Sequence, residues 1–361
     1  MVWGRTRSAS TITAPARSST ASPASSAGPE PVACTRRLWP TLGLLVAVTL
    51  ASLFFGPREI TPDVTLEALL RFDPTDGAHL LVREQRLPRA LLALVVGAAL
   101  GAAGAMMQTL TRNPLADPGL LGVSAGATLA IVCLIALTGR IDIGGSLWAG
   151  IGGAGLGGAA VFALGGMART RDPVRLVLAG AALSIVLLTL TRLVTVNVEA
   201  HVFDQFRHWA VGSLQGRDWQ VLGPAAALVA FGALAALALA RPLDALALGQ
   251  DFGQSLGADP RRIWLAAAGV IVVLSGVATA AAGPITFVGL SAPHLARHIV
   301  GPGHRGLLLA SMILGGALVG IADLAGRVIG GPTQIDVGIM AALIGGPVFV
   351  ALARRMRMNA L

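Results

Sequence analysis

The chain has 361 residues, of which 54% are apolar and only 12% are charged, and its net charge is +9. Soluble domains average about 25% charged residues, so the composition excludes an ordinary soluble protein, and the apolar runs lack the period of two that a β-barrel requires. All 27 basic residues are Arg. Without Lys the chain cannot form a phosphate-binding P-loop, so any ATP hydrolysis must come from another polypeptide.

Residues 1–36 are rich in Ser, Thr, Ala, Pro and Arg and contain few bulky apolar side chains. Such a segment cannot bury enough apolar surface to fold, so we predict a disordered cytoplasmic tail. No apolar segment follows the first Arg residues, which excludes a signal peptide. Arg36 and Arg37 precede the first apolar run and hold the N-terminus inside. The membrane domain is then predicted to cover 37–361.

Recurring apolar runs predict an all-α polytopic membrane protein with about ten helices and both termini in the cytoplasm. The predicted spans are 38–55, 88–110, 119–138, 145–167, 176–196, 220–240, 263–282, 286–300, 306–329 and 337–353. The segments predicted outside are 56–87, 139–144, 197–219, 330–336 and a turn at Gly283-Pro284. Those predicted inside are 111–118, 168–175, 241–262 and 301–305. Arg is concentrated in the tail and the inside segments, as the positive-inside rule requires.

The region from Arg86 to Ala127 joins two spans through a polar turn. Arg86-Leu-Pro-Arg89 opens the first span, and two prolines stop the helix at its inner end. We predict a rigid hinge at this turn, formed by Asn113, Pro114, Asp117, Pro118 and Gly122.

The segment 241–262 is the longest one predicted inside, and two glycines in it could bracket a short helix. Such an element suits docking to a cytoplasmic partner, although an ordinary solvated loop remains an open alternative. The residues in question are Leu248, Gly249, Gln250, Asp251, Ser255, Leu256 and Gly257.

Two further clusters of charge lie near span ends. His294, Arg297 and His298 are one helical turn apart, and they lack nearby carboxylates, which favours cations complementing a helix C-terminus over a metal site or proton relay. Asp323 and Arg327 have the i, i+4 spacing of an intrahelical ion pair, with an exposed Arg at a pathway mouth as the alternative. We predict no catalytic residue, no metal site and no cofactor.

These segments together resemble the membrane permease subunits of bacterial ABC importers for iron-siderophores, haem and vitamin B12. The matches fall in order across roughly residues 40–353. They include Arg86-Leu-Pro-Arg89, Asn113-Pro-Leu-Ala-Asp117-Pro118, Leu121-Gly122-Val-Ser, Trp209, Gly212-Ser-Leu214, Leu256-Gly257, Gly283-Pro-Ile, Phe287-Val-Gly-Leu, Pro293-His294, His304-Arg305, Asp323, Arg327 and Gly345-Gly-Pro347-Val-Phe349.

The resemblance implies a type II ABC importer permease fold in the cell membrane and several partners. Two permease subunits, as a homodimer or a pair of paralogues, would enclose the pathway. Two cytoplasmic ATP-binding subunits would dock on the loop 241–262, and an extracytoplasmic binding protein would deliver the ligand. The family's outward arginines, which meet acids of that protein, match Arg86, Arg89 and Arg327. Membrane lipid is the remaining partner, and nucleic acid is not one.

The resemblance favours a ferric siderophore as the transported ligand, with haem or a corrinoid as alternatives. A stand-alone secondary transporter is a more distant alternative, because it would require ionisable groups at mid-membrane for ion coupling. The pathway lining is expected to be mostly apolar and Gly-rich. The chain departs from the family at Gln250 and Gly253, at Gly303, and at Gln334-Ile-Asp336, where relatives usually have Glu-Leu-Pro.

Overall fold

The computed structural model describes residues 31–139, 143–165, 173–198, 200–247, 259–301 and 303–358, and all regular structure within these ranges is helical. The predicted all-α membrane fold is therefore confirmed. The helices are α1 (Pro31–Phe54), α2 (Pro62–Leu70), α3 (Gly77–Leu80), α4 (Leu87–Thr111), α5 (Val123–Thr138), α6 (Ile143–Leu164), α7 (Pro173–Val196), α8 (Ala200–Ala210), α9 (Trp219–Ala238), α10 (Ala240–Ala247), α11 (Pro260–Ala282), α12 (Val288–Val300), α13 (His304–Ile329) and α14 (Val337–Met358).

The ten predicted spans correspond in chain order to α1, α4–α7, α9 and α11–α14. Six helices in the described ranges are long and apolar enough to cross a membrane, and three shorter apolar helices accompany them. The largest departure is α12, whose 13 residues are too few to span a bilayer. It begins after Phe287, which has a left-handed backbone (φ 68°) and so breaks any continuation from the preceding segment.

The predicted N-terminal tail and the predicted docking loop both lie partly outside the described ranges. Helix α1 begins at Pro31, inside the segment predicted to be a disordered tail, so helical structure begins earlier in the chain than composition suggested. Residues 1–30 lie outside the described ranges, as do the predicted docking residues from Leu248 to Gly257. The division into tail and membrane domain therefore stays a prediction.

Helix α4 lies at the centre of the packing, with most of its side chains buried against α1, α9, α11, α12 and α13. Its closest approach is to α13. A Cβ on Gly97 would overlap the Gly315 carbonyl oxygen, and one on Gly101 would overlap the Ser311 carbonyl oxygen. Small residues at such crossings let two backbones meet directly, which is how helices associate without a hydrophobic driving force in lipid. The α4–α13 pair is thus a tightly packed unit running through the molecule.

A π-helical segment, Leu81–Arg86, leads directly into α4. Its wider turn ends at Arg86, two residues before Pro88, whose missing N–H interrupts the hydrogen bonding of a continuous helix at this point. This local geometry places Arg86 and Arg89 at the start of α4. Both side chains therefore lie beside the C-terminal end of α13.

Candidate functional site

Three segments that the topology predicts outside meet around a cavity of about 260 Å³ at one end of the α4–α13 pair. We call this space the arginine cavity. Its lining is Pro57, Arg58, Leu81, Gln85, Arg86, Arg89, Gln215, Gly216, Arg217, Arg327 and Gln334. Because residues from 56–87, 197–219 and 330–336 all contribute, the packing agrees with the predicted topology.

A single buried carboxylate pairs with two of the arginines that line the cavity. Asp323 is 1% exposed, and one of its oxygens accepts from Arg89 Nε at 3.0 Å and Arg89 Nη2 at 2.7 Å. Its other oxygen lies 3.0 Å from Arg327 Nη2, so the predicted i, i+4 ion pair forms. Arg89 Nη1 also donates to Gln334 Oε1 at 2.7 Å. Asp323 therefore ties α4 to α13 through a charge-assisted network.

Arg86 and Arg327 both cap the C-terminal end of α1. Arg86 Nη1 donates to the carbonyl oxygens of Leu53 at 3.0 Å and Phe54 at 3.1 Å, and Nη2 donates to that of Arg58. Arg327 Nη1 donates to the Ser52 carbonyl at 2.9 Å, and Nη2 reaches the Ser52 hydroxyl. Carbonyls at a helix C-terminus lack intrahelical partners and carry partial negative charge, so guanidinium groups suit them.

The arginines predicted to meet a delivery protein are thus engaged within the chain. Arg86 and Arg327 are 5% and 2% exposed, and the Arg89 side chain is 13% exposed. In this conformation these three arginines line the cavity, and little of their side-chain surface is exposed to solvent. Their docking role stays a prediction.

A second polar cluster, the inner network of Thr109, Asp244 and His304, lies at the opposite end of the α4–α13 pair. Asp244 Oδ1 accepts from the His304 backbone N–H at 2.9 Å and contacts His304 Nδ1 at 2.6 Å. His304 Nε2 lies 2.8 Å from the Thr109 hydroxyl. The network joins α10, α13 and α4, and α10 directly precedes the predicted docking loop.

Two further contacts strengthen this inner end. Arg112 Nη2 donates to the Leu246 carbonyl of α10 at 3.4 Å. Gln108 is buried, and its amide accepts from Arg297 Nη1 at 2.5 Å while donating to the Leu290 carbonyl at 3.3 Å. Arg297 therefore donates a hydrogen bond to the side-chain amide of Gln108 in α4. The sequence had suggested for Arg297 a helix-end cation, a metal site or a proton relay, and none of these predicted this contact.

The predicted hinge residues each have a local structural role. Asn113 Oδ1 accepts from the Leu115 N–H at 2.9 Å, and Pro114 follows within this turn. Asp117 Oδ1 accepts from the Gly119 N–H at 2.8 Å and so caps the short 3₁₀ helix that begins at Pro118. Gly122 has φ 70°, a left-handed conformation that lets α5 begin immediately. The turn is well defined, and its action as a hinge stays a prediction.

A larger cavity, of about 510 Å³, lies between α5, α7, α8 and α11. Apolar groups make up most of its exposed lining, and seven hydroxyl side chains contribute to it: Ser124, Thr128, Ser184, Thr191, Ser275, Thr279 and Thr286. Asp117 and Arg192 also line it. We call this space the hydroxyl cavity. Its mainly apolar surface is of the kind expected for the pathway, and its role as the pathway stays a prediction.

No group of three or more His, Cys, Asp or Glu residues suited to a metal ion occurs in the described ranges. His294 and His298 stack edge to face, with ring centroids 4.8 Å apart. They lie on the last turns of α12, at the helix C-terminus, where cations complement the helix dipole.

The profile of the FecCD transport family matches residues 44–355. The chain belongs to the FecCD transport family. The resemblance predicted from the ordered motifs is therefore confirmed, and with it the assignment to a multi-pass transport protein of the cell membrane rather than an enzyme.

Individual relatives in the FecCD family match over most of their length. The chain is 42% identical to the ferric enterobactin transport system permease protein FepD of Escherichia coli (strain K12), covering 86% of this chain and 93% of that protein. It is 38% identical to the probable siderophore transport system permease protein YfiZ of Bacillus subtilis (strain 168), with the same coverage. A structure of a putative metal-chelate type ABC transporter in an inward-facing conformation matches with a TM-score of 0.76 and 27% identity, covering 89% of this chain and 99% of that chain.

Several residues of the two polar clusters were missed by sequence reasoning. Arg58 and Arg217 line the arginine cavity, and Asp244, His304 and Thr109 form the inner network. Each cluster joins segments far apart in the chain, so no local spacing reveals it. Only the predicted topology could have indicated these clusters, because each cluster takes its residues from segments at or near the same predicted side of the membrane.

Proposed function

We propose that this chain is the permease subunit of an ATP-driven importer of ferric siderophores. The observation that supports this most strongly is similarity over nearly the whole chain to FecCD permeases named for ferric enterobactin and siderophore transport. The chain lacks the Lys of a P-loop, so the ATP must be hydrolysed by other subunits.

The proposal includes two cytoplasmic ATPase subunits that dock on the loop 241–262. The part of this loop that the structure describes supports it. Helix α10 is amphipathic, with Leu243 and Leu246 buried, and the inner network ties it to both α4 and α13. A movement of the loop would therefore be transmitted through α10 to α4 and α13.

The proposal also includes a second permease subunit, either a copy or a paralogue. Helix α7 is the least buried of the long apolar helices, and Leu178, Ile185 and Leu193 are each more than 60% exposed. The hydroxyl cavity borders this helix through Ser184, Leu188 and other α7 residues. A second subunit placed against α7 would close the hydroxyl cavity into a central pathway.

A corrinoid importer is the second candidate function. The chain is 35% identical over 298 residues to the cobalamin import system permease protein BtuC of Halobacterium salinarum. Seven hydroxyls in the hydroxyl cavity can hydrogen-bond either a siderophore or a corrinoid, so the lining does not separate the two ligands.

The function is tested by reconstituting the chain with its candidate ATPase and delivery protein in liposomes that contain ATP. Ferric catecholate, ferric hydroxamate, haem and cobalamin are offered in turn, and uptake is counted. We expect ATP-dependent uptake of a ferric siderophore. Uptake of cobalamin alone would support the second candidate, and ion-driven uptake without any ATPase would contradict the proposal.

Docking of the ATPase is tested by charge reversal of Asp244 and Asp251 in one variant. We expect co-purification with the ATPase to fall, because both acids lie in the loop 241–262. A matched variant reverses Glu67, an exposed acid of α2 on the opposite side, and should leave co-purification unchanged. If the loop variant assembles as well as the control, the loop is not the docking element.

A further inference from the structure

Two imidazoles meet at the end of α12 that the topology predicts inside. His294 and His298 are one helical turn apart, and their Nε2 atoms lie 3.2 Å from each other. The rings stand edge to face, with an interplanar angle of 82°. His298 is exposed and His294 is half-buried, so their contact lies at the surface of the described part of the chain. The two side chains therefore bring the same ring nitrogen to one shared point.

The distance between the two nitrogens fits a shared metal ion. Zinc–nitrogen bonds are about 2.0–2.1 Å long, so nitrogens 3.2 Å apart would subtend an angle of about 100–105° at the metal, close to the tetrahedral value. Two histidines at i and i+4 on one helix face are also the arrangement by which the HExxH motif binds zinc. The pair thus has both the separation and the spacing of two ligands to one ion.

The sequence between the two histidines limits what such a site can do. Leu295 stands where the HExxH motif has the Glu that acts as general base. Within the described ranges, no third His, Cys, Asp or Glu completes a metal-binding group. Zinc takes four ligands, so water must supply the remaining positions. Two imidazoles and exchangeable water form a site that binds and releases an ion, with no general base for hydrolysis.

The surrounding charges favour a cation at this position. Carbonyl oxygens at a helix C-terminus lack intrahelical partners and carry partial negative charge. Arg297 brings positive charge, but its Nη1 donates to Gln108 Oε1, which directs the guanidinium toward α4. The next histidine, His304, has its ring nitrogens in contact with Asp244 and Thr109, so the inner network already engages it. The ion would therefore be held by His294 and His298.

The donor atoms select the class of ion. Imidazole nitrogen suits Zn²⁺, Cu²⁺, Ni²⁺ and iron, whereas Mg²⁺ and Ca²⁺ prefer oxygen ligands. We propose that His294 and His298 form an exchangeable binding site for a divalent transition-metal ion at the inner end of α12. The sequence favours simple helix-end cations here because carboxylates are absent nearby, but a site of two imidazoles and water requires none. The site does not depend on the ligand that the chain transports.

The test uses the full chain in lipid nanodiscs, purified through an affinity tag that contains no histidine. Zinc binding is measured by calorimetry in a buffer that does not chelate metals. His298→Gln and His294→Gln each remove one ligand and keep a polar side chain. His208→Gln is the matched control, because the His208 side chain is 70% exposed and lies in α8, on the opposite predicted side. All variants are first compared with the native chain by thermal unfolding.

We expect the native chain to bind zinc at this site and each ligand variant to bind it at least roughly tenfold more weakly, since even loss of a ligand's outer-shell partner costs about 10–100-fold in metal affinity. His208→Gln should bind zinc like the native chain. Equal zinc affinity in the native chain and both ligand variants would overturn the proposal, as would an equal loss in His208→Gln. If one ligand variant unfolds, the other still decides the outcome.

The class of ion is tested by competition on the native chain. Excess Mg²⁺ should leave zinc bound, and Ni²⁺ should bind more tightly than Mn²⁺, which is the general order for nitrogen ligands. Zinc binding should also weaken in mildly acidic buffer, because protons compete with the metal for both imidazoles. Displacement of zinc by Mg²⁺, or binding that acid leaves unchanged, would contradict a site made of two histidines.

Discussion

The two ends of the α4–α13 pair carry polar clusters of opposite character. At the outer end, buried arginines share a single carboxylate that is 1% exposed. At the inner end, Asp244 is 46% exposed on its side chain and faces one imidazole. The outer cluster combines excess charge with burial, whereas the inner network is balanced and open to water on one side. The outer cluster should therefore dominate stability, and the inner network should affect transmission between subunits.

The largest expected effect follows from Asp323→Asn. The substitution leaves Arg89 and Arg327 without their shared carboxylate, and breaking a buried ion pair in this way costs about 3–5 kcal/mol. Thermal unfolding in detergent should show a large fall in the unfolding midpoint. Glu67→Gln, at an exposed acid on the same predicted side, is the control and should not change it. Equal unfolding midpoints for the two variants would show that the outer cluster does not stabilise the protein.

The next effect concerns the helix pair that joins the two ends. Gly97→Ala places a Cβ against the Gly315 carbonyl oxygen, where only backbone movement can relieve the overlap. Such overpacking costs about 1–3 kcal/mol. Gly43→Ala is a matched change in α1, where a Cβ would meet no atom within 4 Å. If both variants unfold at the same temperature, the close contact between α4 and α13 is not what holds the pair together.

A smaller loss of stability is expected at the inner end. Asp244→Asn weakens contacts to one half-exposed carboxylate, so the free energy of unfolding should fall by only about 0.5–1.5 kcal/mol. Uptake per ATP hydrolysed should nevertheless fall, because α10 loses its link to α13. Thr109→Val, which removes the hydroxyl near His304, should act in the same direction. A loss of stability as large as that of Asp323→Asn would contradict the contrast between the two ends.

The smallest effect is a gain. Gln334→Glu should raise the unfolding midpoint slightly, since a new carboxylate beside Arg89 offsets excess positive charge, by about 0–1 kcal/mol. The rise should shrink as salt is added, because salt screens the pair. A fall in the midpoint at low salt would show that the cavity is not over-supplied with positive charge.

The sequence predicted the helices better than the contacts between them. Apolar length determines where a chain crosses lipid, so each of the ten predicted spans overlaps a helix, although only six helices in the described ranges are long and apolar enough to cross a membrane. Pro and Gly marked the turn from Asn113 to Gly122. The short α12 was harder to define, because its length is set by packing and by the left-handed Phe287.

The candidate site was only partly predictable for a related reason. Asp323–Arg327 is local and was foreseen from spacing, whereas Arg89–Asp323 and Asp244–His304 join residues 234 and 60 positions apart. Arg86 and Arg327, two of the three arginines predicted as outward contacts, are buried because carbonyls of helix α1 accept from them, and their docking role stays a prediction. Only the packing of α1 against the central pair reveals this.

The most direct test of the contrast between the two ends examines two variants with two assays. The free energy of unfolding and uptake per ATP hydrolysed are measured for Asp323→Asn and for Asp244→Asn in the same reconstituted importer. Asp323→Asn should lose much of its free energy of unfolding while its uptake per ATP hydrolysed is unchanged, and Asp244→Asn should lose uptake per ATP hydrolysed while its free energy of unfolding falls only slightly. A proportional loss of both quantities in both variants would contradict the assignment of separate roles to the outer and inner ends.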